Sequence, residues 1–278
     1  MKKIIIFLIL LSIEIFGAIG TSTTKLYERR EIVGGRTQNL VITTSRVSLT
    51  GLGGINKLSY DFGRLSGDNF KNKQTGYLTE SLRIKSLEIN SLMGRVDKER
   101  KEITGFAGNL DLVVVAIVEV RSDQSLAGLY QSPNLTLNIV GDKNNHDEKI
   151  KIDIDLEINV LKSLKVKTSA MDLGVGIQGQ KMSSSNGAHG VLEIEGEPNK
   201  NLVISYSREV DIKNRSGQGV LKVSITTPNL ENIKENDYSG RINANGRSEV
   251  SFHGSINDTK DSPPGEYTGE LIIKVRYD

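Results

Sequence analysis

The feature that most constrains this chain is the alternation between residues 150 and 160. Ile150, Ile152, Ile154, Leu156, Ile158 and Val160 are apolar, and Lys151, Asp153, Asp155, Glu157 and Asn159 stand between them. Successive side chains of a strand point to opposite faces, so this pattern predicts a β-strand with one buried face. Leu135, Leu137 and Ile139 repeat it, as do Leu271, Ile273, Val275 and Tyr277. Residues 111–120 form a continuous Val-rich apolar run, which predicts a strand covered on both faces. Residues 202–206, 220–225 and 249–252 read as further short strands. Between them stand turn residues such as Gly53-Gly54, Asn186-Gly187, Ser216-Gly217, Asn245-Gly246 and Pro263-Pro264-Gly265. Residues 80–97 are the best helical stretch, yet they fit a strand equally well. Many short strands with regular turns predict an all-β chain built of sandwiches.

The N-terminus reads as an export signal. Met1-Lys2-Lys3 is followed by an apolar run from Ile4 to Ile13, then by small residues at Gly17, Ala18 and Gly20. Cleavage after Gly20 would leave Thr21 as the first residue, although Glu14 is an unusual carboxylate in such a run. No later stretch reaches the length of about 18 apolar residues that a spanning helix needs, so no membrane span is expected after cleavage. The polar stretch Gly141–Lys149 reads as a linker. The strand of residues 150–160 then either completes the first sandwich or opens the second, and the second option is the simpler one. The expected organisation is a signal peptide over 1–20, a first sandwich over 21–141, a linker and first strand over 142–159, and a second sandwich over 160–278.

The chain has no Cys and three His, so disulfides, thiolate sites and a Cys nucleophile are excluded. Lys and Arg number 36 against 34 Asp and Glu, which gives no basic tail for nucleic acid. No nucleophile elbow, phosphate-binding Gly-rich loop or paired-His metal helix occurs. His146, His189 and His253 are each isolated in sequence. No catalytic residue, metal site or cofactor is expected, and the chain reads as a non-enzyme.

The second half, from about residue 160, carries Asp172-Leu173-Gly174, turns around Gly187 and Gly190, and the closing Pro264-Gly265-Glu266-Tyr267-Thr268-Gly269-Glu270-Leu271 with its alternating strand. In these it resembles the DUF4402 family of exported bacterial proteins. Family members more often carry Phe at the position of Leu173. The C-terminus also resembles the assembly motif of chaperone–usher fimbrial subunits. Gly265 is the fourteenth residue counted from Asp278, Tyr267, Leu271, Ile273 and Val275 share its parity, and Tyr277 is penultimate. That resemblance implies two tandem immunoglobulin-like, pilin-like β-sandwich domains after the signal peptide, the second lacking its last strand. A donor strand would fill the resulting groove through main-chain bonds and side-chain pockets. The implied assembly contacts are Gly265, Tyr267, Leu271, Ile273, Val275 and Tyr277. The implied partners are a periplasmic chaperone, an usher and neighbouring subunits, with a host protein or glycan as ligand. The implied location is the periplasm, the cell surface or the medium. An ordinary last strand of a closed sandwich explains the alternation equally, and would make the chain a self-contained binding module. Residues 21–36 alternate poorly and offer no good donor strand, as in a two-domain tip adhesin. Ligand contacts are expected on first-domain loops near residues 51–56, 67–75 and 93–105.

Overall fold

The computed structural model describes residues 19–64, 67–121, 126–143 and 146–278. The expected export signal lies, up to residue 18, outside the described residues. The chain divides into two compact units, one ending at Leu161 and the other running from Lys162 to Asp278. Strands build both, and the described residues contain no α-helix.

In the first unit one hydrogen-bonded path of strands encloses a single core. At one centre lies Leu110–Val120, with Leu78–Ser91 antiparallel on one side and Gln38–Thr43 and Val47–Thr50 on the other. Its even-numbered residues, Leu110 to Val120, are buried and its odd-numbered residues half-buried, so one face is fully covered and the other only partly, short of the cover on both faces that the apolar run predicts. The strand Leu78–Ser91 explains the ambiguous spacing of residues 80–97. Val118 pairs with Ile84 and Ile117 with Ser86, so Lys85 is an extra, bulged residue. A bulge reverses parity. Leu82 and Ile84 therefore face the core before it, and Leu87 and Ile89 after it, which mimics a longer period.

The second centre of this unit is His146–Leu161. It pairs antiparallel with Leu135–Lys143 and Gly128–Gln131, and parallel with Lys25–Val33. All six alternating apolar residues from Ile150 to Val160 are buried. This corrects the expected organisation. The segment 142–159 is neither a linker nor the first strand of the second sandwich, because Asp142 pairs with Asp147 and Lys143 with His146 in a hairpin. Asp142 and Asp147 are exposed, which accounts for the polar composition. Residues 144–145 lie outside the described residues.

The second unit is a two-sheet sandwich. In one sheet the order is Lys165–Ser169, Gly190–Glu195, Arg247–Ile256, Val220–Thr226, Glu209–Asn214 and Tyr267–Thr268. The other runs Glu231–Lys234, Asp237–Arg241, Asn201–Tyr206 and Ile273–Tyr277. Leu192, Ile194, Val250 and Phe252 from the first sheet meet Leu202, Ile204 and Tyr206 from the second. Tyr206 stacks on Tyr238 at 4.4 Å and meets Phe252 edge-on at 5.0 Å, the geometries that aromatic quadrupoles favour. Its hydroxyl shares a 2.6 Å hydrogen bond with Thr227 Oγ1, and burial pushes its pKa well above that of a free tyrosine.

Candidate functional site: an open apolar cleft

The second sandwich is not closed along one side. Among the described residues, Lys165–Ser169 pairs only with Gly190–Glu195, and Ile273–Tyr277 only with Asn201–Tyr206. These two strands edge different sheets. Val166 lies opposite the buried Ile194 and so faces inward, yet it is 46 % exposed. Ile273, Val275 and Tyr277 alternate inward with Lys274 and Arg276 outward, and all three inward residues are only half-buried. The equivalent positions of His146–Leu161 in the first unit are fully covered. An inward face left half-exposed on two edges marks a sheet that lacks a neighbour.

Along this side lies a cleft of about 1080 Å³. Its floor is Val210, Ile212, Leu221, Val223, Phe252 and Ile256, and its walls include Met171, Leu173, Met182, Leu271 and Ile273. The segment Met171–Gln178 borders it without joining a strand. Met171, Leu173, Val175 and Ile177 alternate along that segment, and Val175 and Ile177 are exposed. Local bonds hold both ends. Asp172 Oδ1 accepts from the Gly174 amide at 2.8 Å, and Asp172 bridges to Ala188. Gln178 Nε2 donates to the carbonyls of Lys260 and Ser262, and Gly179 donates its amide to Thr259 Oγ1.

The closing motif is built against the buried Asn214. Its Oδ1 accepts from the Ser216 amide at 2.9 Å, and its Nδ2 donates to the Pro264 carbonyl at 3.3 Å. Gly265 sits against this side chain with φ +148°, where a β-carbon would lie 2.6 Å from Asn214 Nδ2. Gly269 passes Ile212 as closely, since an added β-carbon would stand 2.7 Å from its Cγ2. Tyr267 donates its hydroxyl to the Pro263 carbonyl at 2.7 Å.

Of the six expected contact residues, Gly265, Tyr267, Leu271 and Ile273 line the cleft. Val275 and Tyr277 follow on the same strand and pack on the core. The Tyr277 hydroxyl donates to the Lys162 carbonyl at 2.7 Å and accepts from the Glu197 amide at 2.8 Å, so it pins the far end of its strand. Val175, Ile177, Val210 and Ile212 also line the cleft, and the sequence alone does not assign them to it. The alternation from Met171 to Ile177 was the available signal, but glycines at 174 and 176 break it.

His189 and His253, far apart in sequence, stack at 3.8 Å, because Gly190 pairs with Phe252 and brings the flanking residues face to face. His189 Nδ1 also lies 2.8 Å from Ser184 Oγ. Among the described residues no group of three or more His, Cys, Asp or Glu is placed to hold a metal ion. Nor is any helix among them long and apolar enough to cross a membrane. Of the first-unit loops, residues 51–56 fold inward on the buried Leu52 and Ile55. Residues 71–76 form a small polar hollow with Gln131, and residues 93–105 contain the short strands Arg95–Asp97 and Glu102–Thr104.

Residues 161–277 match the family model described as Domain of unknown function (DUF4402). The match spans the second unit, which is similar to a DUF4402 domain. No curated protein matches the chain in sequence. Among solved structures, the chain is similar to one from the CsuC–CsuE chaperone–tip adhesion subunit pre-assembly complex of the archaic Csu pili of Acinetobacter baumannii. Identity is 15 %, coverage is 93 % of this chain and 99 % of that one, and the TM-score is 0.36. It is also similar to CfaE, the adhesive subunit of CFA/I fimbria of enterotoxigenic Escherichia coli. There identity is 12 %, coverage is 91 % and 92 %, and the TM-score is 0.30. A family 123 glycoside hydrolase from Clostridium perfringens is similar over 53 % of this chain and 28 % of its own, at 12 % identity and a TM-score of 0.23. These are loose likenesses, and the functional reading rests on the cleft of the second unit.

Proposed function

We propose that the chain is an exported, non-enzymatic protein of fimbrial type whose second unit receives a β-strand from a partner. The observation that carries this reading is the cleft bordered by two strand edges, with Thr168 exposed on one and Ile273 half-exposed on the other. A strand laid there would pair its main chain with Ile273–Tyr277 and send alternate side chains onto Ile212, Leu221 and Val223. The donor is a periplasmic chaperone during export and a neighbouring subunit in the assembled fibre. Gly265, Tyr267, Leu271 and Ile273 shape the slot, and Val275 and Tyr277 hold the receiving strand straight.

One observation favours a receiver at the tip over an internal subunit. The segment Lys25–Val33 is tied in parallel to Asp153–Leu161 and is not a free arm to donate. Ligand contact with a host protein or glycan then falls to the loops of the first unit. The test is an immunoblot of surface-shed and periplasmic fractions from the native host, run cold and boiled in detergent. Complemented strands resist cold detergent, so the expected result is larger species that collapse to one band on boiling. A single monomer band in both lanes would mean a self-contained module and would overturn the proposal.

A further inference from the structure

The sheet that floors the cleft carries two imidazoles on its other face. His253 stands between the buried Phe252 and Gly254, so it points away from the core. His189 lies opposite it, because the next residue, Gly190, pairs with Phe252. Both side chains are half-buried, and their rings stack with centroids 3.8 Å apart and planes 22° apart. His189 is held in place. Its Nδ1 lies 2.8 Å from Oγ of the buried Ser184, and that oxygen accepts the Gly254 amide at 3.0 Å. A hydroxyl oxygen has two lone pairs, so Ser184 Oγ has room to accept the Nδ1 proton as well. The Nε2 of His189 is then the bare nitrogen. A hydrogen bond at the second ring nitrogen is what orients a metal-ligating histidine. Among the described residues the ring of His253 makes no hydrogen bond, so the stack alone holds it.

We infer that His189 and His253 chelate one divalent transition-metal ion. Imidazole nitrogen binds such ions at about 2.0–2.1 Å, so two bonds span up to about 4 Å. Rings 3.8 Å apart share one ion after a turn of His253 that makes the two lone pairs converge. Ser251 and Ser255 flank His253 on this face, and Thr226 pairs with it. Among the described residues no carboxylate joins the two histidines in a group that could hold a metal. Calcium and magnesium need such oxygen ligands, whereas copper, nickel and zinc accept imidazole, with Cu(II) bound most tightly. Water completes the shell. The site lies across the sheet from the strand-receiving cleft and does not depend on it.

The experiment titrates copper(II) chloride into the whole chain, purified without a histidine tag and read by calorimetry and electron paramagnetic resonance. One ion per chain is expected, with hyperfine coupling to two imidazole nitrogens. His189→Gln and His253→Asn are each expected to weaken binding by roughly tenfold or more, and Ser184→Ala by about tenfold through loss of ring orientation. The two histidine variants alter half-exposed side chains, so they keep the test open if Ser184→Ala fails to fold. Absence of copper binding would leave the pair as packing alone and overturn the inference. Parent affinity in both histidine variants would place the ion elsewhere, and weakening in only one would mean a single imidazole. Either result overturns the chelate, and none of the three bears on strand capture.

Discussion

At Gly265 the backbone φ is +148°, and the neighbouring Asn214 leaves no room for a β-carbon. Gly265→Ala is therefore expected to destabilise the second unit by roughly 1–3 kcal/mol, the usual cost of a backbone held in a sparsely populated region. Gly265→Asp adds a larger side chain and is expected to cost more. Two causes act here, backbone strain and collision with Asn214, and a double-mutant cycle separates them. In an Asn214→Ala background the collision is gone, so the cost of Gly265→Ala should fall, as read by urea denaturation. An unchanged cost would assign the whole effect to the backbone. At this scale the sequence was informative but incomplete. The position of Gly265 before an alternating strand was visible. Its partner Asn214 was not, because fifty-one residues separate them and a lone Asn in a turn carries no long-range signal.

Among the elements, the strand Lys25–Val33 is the least expected member of its sheet. Only Leu26 is buried along it, so alternation could not reveal it. Part of its attachment is polar. Glu157 is buried, accepts from the Tyr27 hydroxyl at 2.6 Å, and pairs with Lys73. The Lys73 ammonium first, and the Tyr27 hydroxyl second, hold its carboxyl below the usual carboxylate range. A carboxylate with a depressed native pKa stabilises the fold above its unfolded pKa, and that contribution is lost as pH falls. The window thus opens near pH 4.5, the ordinary value, and extends downward. Glu157→Gln is expected to lower stability at neutral pH by roughly 1.5–3 kcal/mol, as for a charged hydrogen bond. The variant should also lose less stability between about pH 4.5 and pH 3 than the parent, as read from urea midpoints. Where period 2 was unbroken, as in residues 150–160, the element was legible from sequence. Where Lys85 bulges, the period blurred and helix and strand looked alike. The polar strand ends 141–143 and 146–149 read like a linker because polar surface segments and linkers share one composition.

For the whole molecule, the two units place the same kind of strand in different circumstances. In the first, the apolar stripe of His146–Leu161 is covered on its whole length. In the second, the stripe of Ile273–Tyr277 and the inward Val166 stay partly in solvent. In sequence both stripes look alike, because alternation reports that a face is apolar and not whether another strand covers it. Alternation alone therefore fits an open cleft and a closed sandwich equally. The difference predicts how the chain unfolds. Each unit encloses its own core, so two thermal transitions are expected by calorimetry. The transition of the second unit should come first, since its inward residues are incompletely buried and apolar burial dominates stability. An alternating peptide that binds only the folded cleft stabilises it by mass action, by about 2.7 kcal/mol at a hundredfold excess over Kd. For a domain of this size that raises its midpoint by roughly 10 °C. The transition of the first unit should not move. A shift of both transitions by the same amount would mean that the peptide acts as a general stabiliser. A shift confined to the second would tie strand capture to the domain whose edge is open.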